Sequence, residues 1–391
     1  MLRAMNRWLK DLSLSAVVAG FVAVLVGFTS SVAIVFQAAQ ALGATPAQTS
    51  SWIWALGLGM GLTSLGLSLW TRQPVLTAWS TPGAALIAGV SGISMPEAVG
   101  AFIVCGALIL IAGATRWFER IMDRIPIAIA SALLAGVLAR FGLDAVLATK
   151  TAPAMVLTMA LTYVLARRSL PRYATPLVLV AGIAVAASQG RLHLEAVDWG
   201  WASPVWVMPS FSVTALVGVA LPLFLVTMAS QNLPGVAAQR ASGYQTPVSA
   251  SIAATGFASI VFAPFGGYAF NLAAITAICM GREAHEDPAR RYMASAMAGV
   301  FYLVIGLAGG AVVGLLTAFP RELIAAVAGL ALLGTIAGGL SAALKDEAHR
   351  DAAILTFLVT LSGLSLLGIG SAFWGVVAGA VSLLVQHFRT R

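Results

Sequence analysis

The sequence predicts an all-α polytopic membrane protein, in which 14 transmembrane segments form two inverted repeats of seven and the third and tenth segments are broken. Three observations predict this class: the apolar composition, the uneven placement of the basic residues, and a short pattern that occurs twice. The 391 residues are 60% hydrophobic and only 9% charged, whereas soluble domains are about a quarter charged. The chain is therefore expected to cross a lipid bilayer many times.

The hydropathy pattern divides the chain into segments of the length that a bilayer requires, which is about 20 apolar residues for a helix. The predicted segments lie at roughly 12–40, 49–70, 74–91, 96–115, 125–146, 151–167, 174–190, 211–238, 247–263, 265–281, 290–316, 320–342, 352–367 and 370–387.

The basic residues indicate the orientation, because Lys and Arg are concentrated in cytoplasmic connections. With the N-terminus inside, only Lys150, Arg191 and Arg321 fall in outer connections and Arg140 lies within the fifth segment. The other 18 of the 22 basic residues are then cytoplasmic. We therefore predict that both termini are cytoplasmic. The formal charge of +8 reflects this topology, and nucleic acid is not a predicted partner.

A short pattern follows both the first and the eighth segment, with small differences in spacing. Its copies are Ala38-Ala39-Gln40, Gly43, Thr45-Pro46 and Ala237-Ala238-Gln239, Gly243, Thr246-Pro247. The repeat unit holds seven segments, so the units are 1–205 and 206–391. Because seven is odd, the two units must insert in opposite orientations about a pseudo-two-fold axis in the membrane plane.

The third segment contains a helix start in its middle, because Thr81 is a good N-cap and Pro82 suits the first helical position. The half before it should be extended, which hydrocarbon tolerates only where protein buries the backbone or a cavity adjoins it. A helix N-terminus facing that cavity favours an anion; a Pro-kinked helix without a ligand is the alternative. The repeat aligns Trp79 with Tyr268 in sequence. A second helix should therefore begin near Phe270-Asn271, with its N-terminus directed towards that of the first.

The eighth segment carries the amides of Gln231 and Asn232 near the middle of the membrane. Pro234 cannot donate to the carbonyl of Ser230, so this stretch has several polar groups in need of partners. They indicate contact with a ligand or a coupling ion, and the alternative is hydrogen bonding between helices.

Charges and metal-binding residues are sparse elsewhere in the segments. Arg140 and Asp144 have the spacing of a helical ion pair, which we interpret as a structural or gating pair. The four histidines are scattered, and Cys105 and Cys279 lie in apolar segments, so neither a metal site nor a cofactor is predicted. No HExxH or GxSxG motif occurs, and an enzyme is not expected.

Three motifs together resemble the bacterial benzoate:proton symporter family, and the resemblance extends over the whole chain. They are SQNLPG in the eighth segment, STPGAAL in the third and GGYAFNLAAIT in the tenth. The resemblance implies the seven-plus-seven inverted-repeat fold of uracil and xanthine permeases and sulfate transporters, in a bacterial inner membrane. It also implies a core domain (about 12–115 and 211–316) that moves against a gate domain (about 125–190 and 320–387).

The resemblance further implies a substrate held between the third and tenth segments. Gln231 and Asn232 stand where the nucleobase branch has a glutamate, and neutral amides suit an anion better. We expect import of a small aromatic carboxylate with a proton; a carrier of another small anion or a nucleobase is the alternative. No acid lies beside the site, so import of the protonated acid is equally open. Related folds form dimers, and a homodimer is included among the expectations. The candidate substrate-binding residues are Trp79, Ser80, Thr81, Gly83, Gln231, Asn232, Tyr268, Phe270 and Asn271, with the three aromatic ones placed against the ring.

Overall fold

The computed structural model is a bundle of helices around one two-stranded sheet. It describes residues 10–116, 126–170, 174–193, 200–245, 247–281, 284–364, 366 and 371–389. Thr246 of the repeated pattern lies outside the described residues, whereas Thr45 in the other copy caps the second helix with a reciprocal Thr45–Gln48 capping box. In the copy that the structure describes, the pattern therefore marks the start of a helix.

The elements follow one another in the order that the predicted segments require. The first half contains α1 (Leu14–Ala41), α2 (Pro46–Thr71), β1 (Thr77–Trp79), α3 (Thr81–Ala88), α4 (Met95–Ala114), α5 (Ile127–Leu147), α6 (Pro153–Ser169) and α7 (Ala174–Ser188). The second half contains α8 (213–241), α9 (Val248–Phe262), β2 (Phe270–Leu272), α10 (Ala277–Met280), α11 (Tyr292–Leu307), α12 (Gly309–Ala318), α13 (Arg321–Lys345), α14 (Arg350–Leu361) and α15 (Ser371–Arg389).

Six helices within the described ranges are long and apolar enough to cross a membrane, or up to eight if each of two bent helix pairs is one crossing. The chain is thus a mostly helical polytopic protein, and the count of 14 stays a prediction. The eleventh segment, predicted as one helix over 290–316, is bent by 67° between Leu307 and Gly309.

The bend has a local cause in the extended stretch 200–212. The amide of Ala202 donates to the carbonyl of Leu307 at 2.9 Å. A Cβ on Gly310 would lie 2.5 Å from the carbonyl oxygen of Gly200. Glycine at position 310 therefore lets the extended stretch lie against the helix, and the bond from Ala202 replaces a helical hydrogen bond at the bend.

The third and tenth segments are both broken, and their extended halves pair with each other as antiparallel strands. The register joins Thr77 to Leu272, Ala78 to Asn271 and Trp79 to Phe270. The prediction that two interrupted segments meet is therefore confirmed.

Two details of that prediction are wrong. The N-cap of α3 is Ser80 and not Thr81, because the Ser80 hydroxyl accepts from the Gly83 amide at 3.1 Å and Thr81 is already helical. In the tenth segment no helix begins at Phe270-Asn271, since those residues are held in the sheet. A 3₁₀ turn starts at Ala274 instead, and the four-residue α10 follows it.

Side chains form hydrogen bonds with the backbone amides on the outer edges of this small sheet, beside which the described part of the chain has no further strand. The amide of Thr77 donates to Ser64 on α2 at 3.0 Å, and that of Phe270 donates to Ser259 on α9 at 3.0 Å. The amide of Leu272 donates to Oδ1 of Asn232 on α8 at 2.9 Å. Unpaired amides in a membrane interior cost several kcal/mol each, so these bonds allow a strand pair to exist there.

The helices pack in recurring pairs. Helix α2 packs along α11, α4 along α9, α5 along α13, α6 along α7, and α14 along α15. Glycines permit close contact: a Cβ on Gly57 would overlap the backbone of Gly306, and one on Gly256 would overlap that of Leu110. Small residues at helix contacts are typical of membrane proteins, where packing rather than the hydrophobic effect holds helices together.

Candidate functional site

A cavity of about 490 Å³ lies between the broken third and tenth segments, α5, α8 and α13. Its size falls within the range of small-molecule sites, which is roughly 300–1,000 Å³. Its polar lining residues are Ser31, Trp79, Thr81, Ser131, Ser230, Gln231 and Tyr302, and its larger apolar ones are Met60, Leu134, Leu138, Ile275 and Leu332. None of the lining residues that the structure describes carries a formal charge.

The first turn of α3 reaches the cavity through Thr81 and Pro82. Behind it, the Ser80 hydroxyl accepts from the Gly83 amide and from the Thr227 hydroxyl at 2.8 Å. Ser80 and Gly83 thus fix the start of the helix from the buried side. The partial positive charge of a helix N-terminus is thereby held at the cavity wall.

The eighth segment is a helix with two π-helical turns, Leu216–Ala220 and Met228–Asn232. Each ends two residues before a proline, Pro222 or Pro234, which has no amide hydrogen to donate to the carbonyl four residues earlier. The wider turn accommodates this missing bond and is a frequent feature of functional sites. The second turn brings Ser230 and Gln231 to the cavity.

The neighbouring Asn232 takes a different position and is completely buried. Its Oδ1 accepts from the Leu272 amide, and its Nδ2 lies 3.2 Å from the sulfur of Met228. Asn232 thus holds β2 in position. The alternative interpretation of this stretch was hydrogen bonding between helices, and Asn232 has a similar role towards a strand.

The indole of Trp79 forms part of the cavity wall, and its Nε1 donates to the Ser31 hydroxyl at 2.9 Å. Ser31 in turn donates to the carbonyl of Gly27 at 3.0 Å. The ring of Trp79 is held in place by this chain of bonds and by Phe28, whose ring centroid is 5.5 Å away.

Six of the nine candidate residues lie outside the described cavity lining. Besides Ser80, Gly83 and Asn232, they are Tyr268, Phe270 and Asn271, which are completely buried. Tyr268 packs against Trp52 and Phe102, with ring centroids 5.9 and 6.1 Å away. Trp79, Thr81 and Gln231 are the three that line the cavity.

Asn271 and Tyr268 differ from the other buried candidates, because the two polar atoms of the Asn271 amide and the Tyr268 hydroxyl have no hydrogen-bond partner within the described structure. On the sheet Asn271 lies directly opposite Ala78 and two residues before Ala273, and both of these line the cavity. Asn271 therefore neighbours residues that line the cavity, while its own side chain is completely buried.

The sequence did not identify several lining residues. Ser31 had an indirect signal, because the offset between Ala38 and Ala237 in the repeated pattern places it in register with Ser230. Ser131 and Tyr302 lie in apolar helices with no distinguishing pattern, and the packing of α5 and α11 brings them to the cavity.

The structure does not join Arg140 and Asp144 as an ion pair, and a gating role for them stays a prediction. No ion pair within 4.0 Å joins them among the described residues, and both side chains are exposed. The guanidinium of Arg140 turns towards Gly363 in the connection between α14 and α15 instead. Among the residues described, no group of three His, Cys, Asp or Glu side chains could hold a metal ion.

Replacing Asn232 and Asn271 separately with leucine, which has a similar shape, should separate their roles. Asn232→Leu leaves the Leu272 amide without a partner and is expected to cost about 1–3 kcal/mol of stability. Asn271→Leu removes an amide that has no hydrogen-bond partner among the described residues, so stability should be retained or rise. A thermal-shift measurement of both variants checks this pair, and equal destabilisation would contradict it.

Residues 10–385 match the family model described as benzoate membrane transport protein. Two curated relatives match almost end to end. The chain is 50% identical over 371 residues to the inner membrane protein YdcO of Escherichia coli (strain K12), covering 94% of this chain and 95% of the relative. It is 42% identical over 378 residues to the benzoate membrane transport protein of Acinetobacter baylyi, covering 96% of each.

Solved structures share the fold at low sequence identity. The transmembrane domain of the cyanobacterial bicarbonate transporter BicA matches with a TM-score of 0.60 and 13% identity, over 94% of this chain and 97% of that one. SLC26A9 matches with a TM-score of 0.63 and 14% identity, over 98% of this chain and 67% of that one. A murine Slc26a9 structure, named as an anion transporter in the inward-facing state, gives 0.58 and 14%, over 99% and 71%.

Proposed function

Because the chain belongs to the benzoate membrane transport protein family, we propose that it imports benzoate or a similar aromatic carboxylate, together with a proton, as a secondary active transporter. It is a membrane transporter and not an enzyme, in agreement with its family, its relatives and its fold. It is a multi-pass protein of the inner membrane, where the name of its E. coli relative also places that protein.

The observation that carries the choice of cargo is that the cavity lining combines polar donors with apolar side chains. The first turn of α3, with Thr81, and the amide of Gln231 offer donors and a partial positive charge for a carboxylate. Leu134, Leu138 and Ile275 provide an apolar surface for a ring. The buried amide of Asn271, which neighbours the lining residue Ala78 in the sheet, gains a partner when cargo is bound.

Alternating access occurs by movement of a core domain (12–115 and 211–316) against a gate domain (125–190 and 320–387). The cavity lies between these parts, since α3 and α8 belong to the first and α5 and α13 to the second. A binding site at the boundary between two domains that move against each other can open alternately to each side of the membrane.

The inverted repeat of seven plus seven segments is supported by the helix pairs. Exchanging the two halves of the chain converts the α2–α11 pair into the α9–α4 pair and the α6–α7 pair into the α14–α15 pair. The α5–α13 and β1–β2 pairs convert into themselves. A two-fold relation between the halves requires this pattern. The topology that we propose has 14 crossings with both termini in the cytoplasm, and the protein acts as a homodimer.

Uptake into proteoliposomes tests the function. Radiolabelled benzoate should accumulate in response to an inwardly directed proton gradient and should saturate with concentration. A membrane potential set with valinomycin should leave the rate unchanged, because an anion and a proton together move no net charge. Potential-dependent uptake without a response to the proton gradient would contradict proton coupling.

The alternative is a carrier for another small anion or a nucleobase, and the solved neighbours, which are named as a bicarbonate transporter and an anion transporter, favour the first of these. Competition by unlabelled aromatic acids, bicarbonate, sulfate, uracil and xanthine in the same assay discriminates them. Aromatic acids should compete best, and stronger competition by any of the others would reassign the cargo.

A further inference from the structure

A second, much smaller cavity of about 40 Å³ lies at the other end of α3. Its wall is formed by Gly89 at the end of α3, Gly218 in the first π-helical turn of α8, and Arg140 on α5. Thr360 on α14 and Ser371 on α15 complete it. This cavity, like the large one, therefore lies between the proposed core and gate.

The two cavities share three elements in their walls, namely α3, α5 and α8. Thr81 and Pro82 begin α3 at the large cavity, and Gly89 ends it at the small one. An eight-residue helix is about 12 Å long. On α5, Leu134 and Leu138 line the large cavity, and Gly136, Val137 and Arg140 line the small one. Helices α3 and α5, which contact each other, thus contribute to the walls of both cavities.

Arg140 brings a positive charge to the small cavity. Its side chain is exposed, and no described carboxylate lies within 4.0 Å of it. The guanidinium lies against Gly363, which has a left-handed backbone (φ 66°) and where a Cβ would overlap Nη1 of Arg140. Glycine at position 363 therefore leaves space for the guanidinium beside the cavity.

Thr360 brings a second donor. Its hydroxyl is buried, its side chain is only 5% exposed, and its Oγ1 has no hydrogen-bond partner in the described part of the chain. The carbonyl of the same residue is occupied by the Ser371 hydroxyl at 2.8 Å. A buried hydroxyl without a partner is costly, and an anion beside Arg140 would provide the missing acceptor.

We infer that Arg140 and Thr360 form a second carboxylate-binding site, at the opposite end of α3 from the large cavity, where the cargo binds before or after its stay there. A guanidinium and a hydroxyl are donors suited to a carboxylate. The inference rests on the proposed function for the identity of the cargo. At about 40 Å³ the site has space for a water molecule and not for an aromatic ring, so it takes cargo when core and gate separate there.

Uptake kinetics of Arg140→Gln and Arg140→Lys in proteoliposomes test this site, with Arg321→Gln as the matched control. Arg321 is an exposed arginine at the start of α13, outside both cavities. Arg140→Gln should raise KM for benzoate about ten-fold or more, Arg140→Lys should raise it less, and the control should keep the wild-type value. Equilibrium binding of benzoate to the large cavity in detergent should change less than two-fold in all three.

A further variant, Gly363→Ala, keeps the positive charge of Arg140 and changes its position. In Gly363→Ala the new methyl group displaces the guanidinium, so KM should rise although Arg140 is intact. A fall in kcat with unchanged KM in Arg140→Gln would overturn the inference and leave Arg140 a gating residue. Unchanged uptake kinetics in both Arg140→Gln and Gly363→Ala would overturn it as well.

Chemical rescue covers the case in which Arg140→Gln does not fold. Arg140→Cys can be labelled after purification with a positively charged or a negatively charged methanethiosulfonate. The native Cys105 and Cys279 are buried, so the wild type serves as the labelling control. The positive label should restore KM and the negative label should not; equal effects would refute the site. If the wild type carries another small anion and not benzoate, the proposed function fails, and the same variants assayed with that anion still decide the role of Arg140.

Discussion

Replacing Gln231 with glutamate is expected to weaken binding of an aromatic carboxylate more than 100-fold. The two side chains have nearly the same size, so the change adds a negative charge to a cavity whose described lining has no charge to offset it. Two like charges about 5 Å apart repel by about 3 kcal/mol at an effective dielectric constant near 20. Titration of purified protein with benzoate, by calorimetry or thermal shift, measures the change in Kd.

Gln231→Met is the matched control, because it removes the amide and adds no charge. It should lose about ten-fold in affinity, the value of a hydrogen bond to a charged group. The difference between the two variants isolates the repulsion. If Gln231→Glu retains the carboxylate and gains uracil or xanthine, the cargo is a nucleobase and the site has been assigned to the wrong class.

Replacing Gly266 with alanine is expected to have the largest effect on stability. Gly266 ends the 3₁₀ turn Ala263–Phe265 with φ 97°, and a Cβ there would overlap the indole ring of Trp52. That ring is 2% exposed and packs against Phe102 and Tyr268, so it cannot move aside. The left-handed backbone conformation destabilises the alanine variant by about 1–2 kcal/mol. Overpacking against Trp52 destabilises it by about 1–3 kcal/mol more.

Gly43→Ala provides the control for the backbone term. Gly43 also has a left-handed backbone, with φ 73°, and nothing lies within 4 Å of its added Cβ. Gly43→Ala should lower the free energy of unfolding by about 1–2 kcal/mol. Gly266→Ala should lower it further because of the overpacking, and it should also lose much of its uptake activity. Equal midpoints of thermal unfolding for the two variants would show that Trp52 does not constrain this turn.

The break in each half of the chain could be predicted because its causes are local. Pro82 has no amide hydrogen and starts a helix, and Gly266 supplies a conformation that ends one. The prediction was less accurate in detail, since Ser80 and Thr81 are both able to cap α3. Only the buried Thr227 hydroxyl and the Gly83 amide, which meet at Ser80, decide between them.

The tenth segment shows what a repeat in sequence cannot predict. Phe270 and Asn271 correspond to helical residues in the other half, but pairing with β1 holds them in a strand and delays the helical turn to Ala274. Strand pairing joins residues about 190 positions apart, and local propensity contains no information about it.

The sequence by itself determined that this chain is a membrane transporter with two interrupted segments, because apolar composition, helix-breaking residues and the family motifs are properties of short stretches. Only the tertiary structure decided which polar groups reach the cavity. Gln231 lines it while the adjacent Asn232 holds β2, and Arg140 turns away from Asp144 towards Gly363. The direction of a side chain depends on the helix turn and on the neighbouring elements that fill the remaining space, and these come together only when the distant segments pack.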